Sequence, residues 1–166
     1  MTEPEKKALS HIATATDPTA LLQMARNARG KSPTVERAAL RRLTEVSAAF
    51  TPGTVEHACW QMVHAVEALR RLNGRKVARM NRMRSKIEKD GEIGALEYCA
   101  LKKTAGFDEV MDYGMPELTA EAIVLRHPGN FSSDALATAQ ARLEQRGVQI
   151  DHEHLGLKES GSSSSF

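Results

Sequence analysis

The sequence predicts an all-α fold, a small multi-helix bundle of about six to eight helices with a disordered C-terminal tail. Three observations carry that expectation. Helix start and stop signals recur from Asp17 to Gly147, and the apolar residues between them return every three or four positions. Aromatic residues make up only 4% of the chain and β-branched runs are few, although a sandwich or barrel needs both on its pleated faces. There is no internal repeat, and Ile123-Val124-Leu125 is the one short apolar run that a strand would suit.

At 166 residues the chain is one domain or two small ones, long enough to bury a core without staples. The expected organisation is an N-terminal arm over 1–15 and a helical core over 16–103 that includes a basic amphipathic helix. A small acidic helical subdomain is expected over 104–147, packed on that core, and then a disordered tail over 148–166, where KESGSSSSF is of low complexity.

Asp17-Pro18 is an N-cap followed by proline at the first helical position, and Gly30 suits the helix end. Ser32-Pro33 repeats the start signal, and Val35, Ala39, Leu43 and Val46 form one stripe behind it. These two segments read as an antiparallel helical hairpin. After Thr51-Pro52-Gly53-Thr54, the positions Val55, Cys59, Met62, Val66, Leu69 and Leu72 make a longer buried seam that stops at Asn73-Gly74. Helix is expected to resume at Arg75, with Val77, Met80, Met83 and Ile87 inward, until Asp90-Gly91. Ile93, Leu96 and Ala100 extend a shorter helix to about residue 103. Gly74 and Gly91 are each a candidate break or a mere weak point. Phe107, Val110 and Met111 then suggest a short helix closed at Gly114, and Pro116 opens the next element. Residues 120–126 form a compact apolar helix, and Leu136, Ala139 and Leu143 are the inner face of the last one, with Phe131 as a staple.

No apolar run approaches the length of a membrane span, so no membrane-embedded function is expected. The N-terminal MTEPEKKALS lacks an apolar core of the secretory kind. Cys59 and Cys99 fit reduced thiols better than a disulfide framework, which suits a cytoplasmic protein.

The net charge of +2 hides an asymmetry. Residues 1–103 hold 19 Lys and Arg against 11 Asp and Glu, whereas residues 104–166 hold 4 against 10. Residues 70–89 alone contain nine cations and one acid, Glu88. On a continuous helix Arg75, Arg79, Arg82, Lys86 and Lys89 form one stripe, flanked by Lys76 and Arg84. That row spans about 21 Å at about 1.5 Å per residue, enough to follow several phosphates. Arginine's planar fork suits phosphate. The expected function is therefore a non-enzymatic intracellular nucleic-acid-binding or regulatory protein. It would place Arg75, Lys76, Arg79, Arg82, Arg84, Lys86 and Lys89 on DNA or RNA phosphates. The alternative is an α-helical interaction adaptor or inhibitor, with a protein partner or the chain's own residues 104–121 on the basic face. A solvated charged face is the bland reading. The sequence leaves oligomeric state open.

Catalytic and cofactor signals are absent from the sequence. The glycines are dispersed, with no GxxxxGK[ST], GxGxxG, HExxH or GxSxG pattern. His57 and His64 share a helix face near Cys59 and Glu67. Seven residues separate them by about 10 Å, however, too far for one zinc with ligand bonds of about 2 Å. Asp151-His152-Glu153-His154 is rich in ligands but lies in the expected tail. No cofactor and no metal are expected. A helix-turn-helix over 107–127 is weakened by Glu117 and Glu121 on its second helix, where acids repel phosphate, so ordinary packing is preferred there. Trp60, the sole tryptophan, is expected to pack in the core, the alternative being a partner-binding anchor.

Overall fold

A computed structural model of the chain describes residues 1–150. Among them the structure is all-helical, with eight α-helices and no strand. These are α1 (Glu3–Thr14), α2 (Pro18–Ala28), α3 (Pro33–Ser47), α4 (Val55–Leu72), α5 (Asn81–Leu101), α6 (Ala105–Tyr113), α7 (Ala120–Arg126) and α8 (Ser133–Gln145). Residues 123–125, the one strand candidate, lie within α7. The chain divides into two compact units, Met1–Ser85 and Lys86–Phe166, so the division falls inside the basic run.

In Met1–Ser85, the cap residues read from the sequence close their helix starts. Asp17 accepts from the Thr19 N–H at 3.0 Å and Ser32 from the Val35 N–H at 3.3 Å. Helices α2 and α3 form the expected hairpin, α1 and α4 pack on α3, and α4 also meets α2. Leu21, Ala25, Ala39, Leu40, Val63 and Val66 fill the core. The segment expected to be an arm carries α1. Its start is a capping box, in which Thr2 accepts from the Glu5 N–H and Glu5 accepts from the Thr2 N–H. The Thr2-x-x-Glu5 spacing is the signal that marks it in the sequence.

Helix α4 ends in a Schellman motif. Gly74, at φ 70°, donates to the Arg71 carbonyl at 3.1 Å, and the next residue, Arg75, donates to the Arg70 carbonyl at 2.9 Å. The Arg29 guanidinium adds a third contact, 2.8 Å from the Leu72 carbonyl. These bonds close the helix and turn the chain away, so helix does not resume at Arg75. Residues 73–80 are non-helical, and Val77, expected inward, is 64% exposed.

In Lys86–Phe166, the same closure recurs after α6 and α8. Met115 donates to the Val110 carbonyl, and Val148 to the Leu143 carbonyl. In both cases the residue beyond the glycine is apolar and turns inward. Helix α7 packs on α8, and a core cluster of Phe107, Ala122 and Leu143 is overlaid by Met111, Leu125, Val148 and Ile150. The expected tail therefore begins with two packed residues, Val148 and Ile150, and its remainder lies outside the described residues.

Gly91 sits inside α5 at φ 78°, ψ 171°, a conformation essentially confined to glycine, and divides that helix into 81–90 and 92–101. Nothing lies within 4 Å of where a Cβ would stand, so only the backbone resists substitution. Gly91→Ala is expected to cost about 1–3 kcal/mol, read as a lowered denaturation midpoint in urea.

Candidate functional site: a cationic loop held by a buried carboxylate

The expected phosphate-binding row does not form as one helical stripe. Arg75, Lys76 and Arg79 stand on the non-helical segment 73–80, and only Arg82, Arg84, Lys86 and Lys89 are helical. Arg75, Lys76, Arg79 and Arg82 are exposed and belong to Met1–Ser85. Lys89 is exposed and Lys86 half-buried, both in Lys86–Phe166.

Arg84 is half-buried and paired. Its Nε and Nη2 donate to Glu67 Oε2 and Oε1 at 2.8 Å and 2.7 Å. This is the two-pronged geometry in which arginine binds carboxylate most strongly. The Met80 N–H adds a third bond to Glu67 Oε2 at 2.8 Å. Glu67 projects from α4 and is 1% exposed. Burial by itself would raise its carboxyl. The Arg84 guanidinium and the Met80 N–H outweigh that and hold it below the ordinary carboxylate range. In return Glu67 holds the Arg84 guanidinium above its ordinary value.

Trp60 lies beside this clasp and takes neither expected role in full. It is half-buried, with the Arg84 guanidinium 5.3 Å from its ring centre and the His64 ring 6.2 Å away. Burial lowers the His64 pKa, opposed by the nearby Glu67 carboxylate and aided by Arg84 and Arg71. Two histidines, a thiol and a carboxylate on α4 therefore serve separate purposes. His57 Nδ1 lies 3.1 Å from the Ala49 carbonyl, Cys59 is a buried thiol outside any disulfide, and Glu67 holds Arg84. Among the described residues no group of three or more His, Cys, Asp or Glu is placed to hold a metal ion. The cluster Asp151-His152-Glu153-His154 lies outside them.

Lys86 is engaged within its own unit. Its Nζ is 2.6 Å from Asp90 Oδ2 and 4.8 Å from the centre of the Tyr98 ring. The hydrogen bond between Lys86 and Asp90 raises the lysine and lowers the aspartate. Charges of the acidic segment are likewise answered locally. Arg146 lies 2.8 Å from Asp108 and 2.7 Å from Asp112, and Lys103 lies 3.0 Å from Asp108. Glu121, 1% exposed, meets Arg142 Nη1 at 2.6 Å, and that nitrogen also donates to the Cys99 and Ala100 carbonyls at 3.1 Å and 3.0 Å. Burial raises the Glu121 carboxyl against the pull of Arg142. It also pushes the Cys99 thiol up to about 12, an unreactive state. Ala120, Ile123 and Val124 are buried, so α7 is a core element, and a recognition helix over 107–127 has no free face there.

Neither Glu67–Arg84 nor Glu121–Arg142 is visible as a motif, because the partners lie 17 and 21 residues apart. No helix among the described residues is long and apolar enough to cross a membrane. Comparison of the chain with family models, curated proteins and solved structures finds no match.

Proposed function

We propose that this chain is a nucleic-acid-binding or regulatory protein that meets DNA or RNA through its phosphates. Arg75, Lys76, Arg79 and Arg82 are the contact residues. The observation that carries this reading is the exposure of these four cations on and beside a non-helical segment tied down at both ends. A tethered cationic loop loses little conformational entropy on meeting a polyanion, which favours binding over a solvated charge run. Arg84 and Lys86 are engaged by Glu67 and Asp90, so fewer exposed cations are presented than a full helical stripe would offer. No aromatic residue lies in 73–82, so stacking on unpaired bases has no platform there, and the reading is of backbone rather than of sequence.

Anisotropy titrations against duplex DNA, single-stranded DNA and RNA test it. Three or four neutralised phosphates give a slope of log K against log salt of about −3 to −4 on duplex. No salt-dependent affinity for any of the three at about 50 mM salt overturns the reading.

A protein partner is the second reading, and Phe50 favours it. This residue is 56% exposed and held at φ 74°, in the left-handed region that a bulky side chain rarely occupies. Exposed aromatics on constrained loops are frequent anchors at interfaces.

A further inference from the structure

We propose that Glu67 is a positioning residue, whose buried carboxylate sets the shape of the cationic loop without touching the ligand. The inference rests on the phosphate-binding reading of that loop and names what organises it. Glu67 reaches out of α4 and takes three hydrogen bonds, one from the backbone at Met80 and two from Arg84 in the first turns of α5. At the leading end, the Schellman bonds of Gly74 and Arg75 and the Arg29 contact to Leu72 fix where the chain leaves α4. Segment 75–79 is thus suspended between two fixed points on one helix. The Arg84 guanidinium also lies over the Trp60 ring of α4, a further contact on the same helix.

The role has a signature that simple electrostatics does not share. Glu67 is an acid close to a patch of cations. If charge alone mattered, neutralising it would tighten binding to a polyanion. If it positions the loop, neutralising it weakens binding, because Arg75, Lys76, Arg79 and Arg82 no longer reach their phosphates together. The sign of the change separates the two accounts.

The experiment uses the full chain and a phosphate-bearing duplex of about 20 base pairs, titrated over a salt series. Glu67→Gln is expected to weaken binding about fivefold to tenfold and to flatten the salt slope by about one phosphate. Arg84→Lys leaves the net charge unchanged, loses the two-pronged bond, and is expected to weaken binding in the same direction. Should Glu67→Gln fold poorly, the charge-neutral Arg84→Lys carries the test. Amide exchange over 75–80 should quicken in both variants while exchange in the α2–α3 hairpin stays slow. Tighter or unchanged binding in both variants, with wild-type binding intact, overturns the positioning role and leaves the phosphate reading standing. A wild type that binds no nucleic acid overturns both.

Discussion

Replacing Arg142 with alanine is expected to destabilise the unit Lys86–Phe166 by about 3–5 kcal/mol, the usual cost of stranding one half of a buried ion pair. The side chain is 13% exposed and its Nη1 joins three acceptors, Glu121 and the carbonyls of Cys99 and Ala100. Those carbonyls belong to the last turn of α5, where a cation also meets the negative end of the helix dipole. Without Arg142, Glu121 remains buried with no counter-charge, and its carboxyl, already raised by burial, rises further. This fixes the sign of the pH dependence. A carboxyl raised in the folded state binds its proton more tightly folded than unfolded. The penalty is therefore full above that raised folded-state pKa and shrinks as pH falls through it toward the ordinary carboxyl range. Urea unfolding followed by helix content measures the loss, and Trp60 emission reports Met1–Ser85 separately. A companion variant, Glu121→Leu with Arg142→Met, removes both charges and should recover much of the stability. A loss below about 1 kcal/mol for Arg142→Ala would place the pair among ordinary surface contacts.

Reversing Arg79 and Arg82 together to glutamate is expected to lower duplex affinity about a hundredfold at 0.1 M salt, since each lost phosphate contact is worth about a factor of ten at that concentration and less at higher salt. Both side chains are exposed, so the fold should hold, and an unchanged melting temperature is part of the expected result. The salt slope should flatten by about two phosphates. Unchanged nucleic-acid affinity, with a protein partner lost from a pull-down, transfers the loop to the adaptor reading.

Much of the fold is legible residue by residue. The caps Asp17 and Ser32, the seam from Val55 to Leu69 and the inner face Ala139 and Leu143 are local patterns, and each is buried or bonded as its spacing implies. The run 73–80 misleads because its cations and apolar residues repeat at helical intervals. That spacing marks a face only once a helix exists, and the backbone bonds at Gly74 and Arg75 end one helix without starting another. The candidate site is legible as a concentration of charge and illegible as a geometry. Which cations remain exposed depends on Glu67 for Arg84 and on Asp90 for Lys86. The first of these bonds spans chain-distant positions that no local pattern connects, and the second is an i, i+4 pair that the overall excess of positive charge obscures.

The three Schellman closures differ in the residue that comes after the glycine. Met115 is buried and Val148 packs half-buried against the core cluster, so both lock their helix ends with an apolar side chain, whereas Arg75 stays outside. The helix end before the cationic segment is thus sealed by backbone bonds and the Arg29 contact. Positions 75–79 place no fully buried side chain in the core, so they can be rewritten while the scaffold keeps its stability. That makes the segment a natural graft site: a designed pentapeptide placed between Gly74 and Met80 would inherit two ready-made anchors, one made of main chain and one made of Glu67.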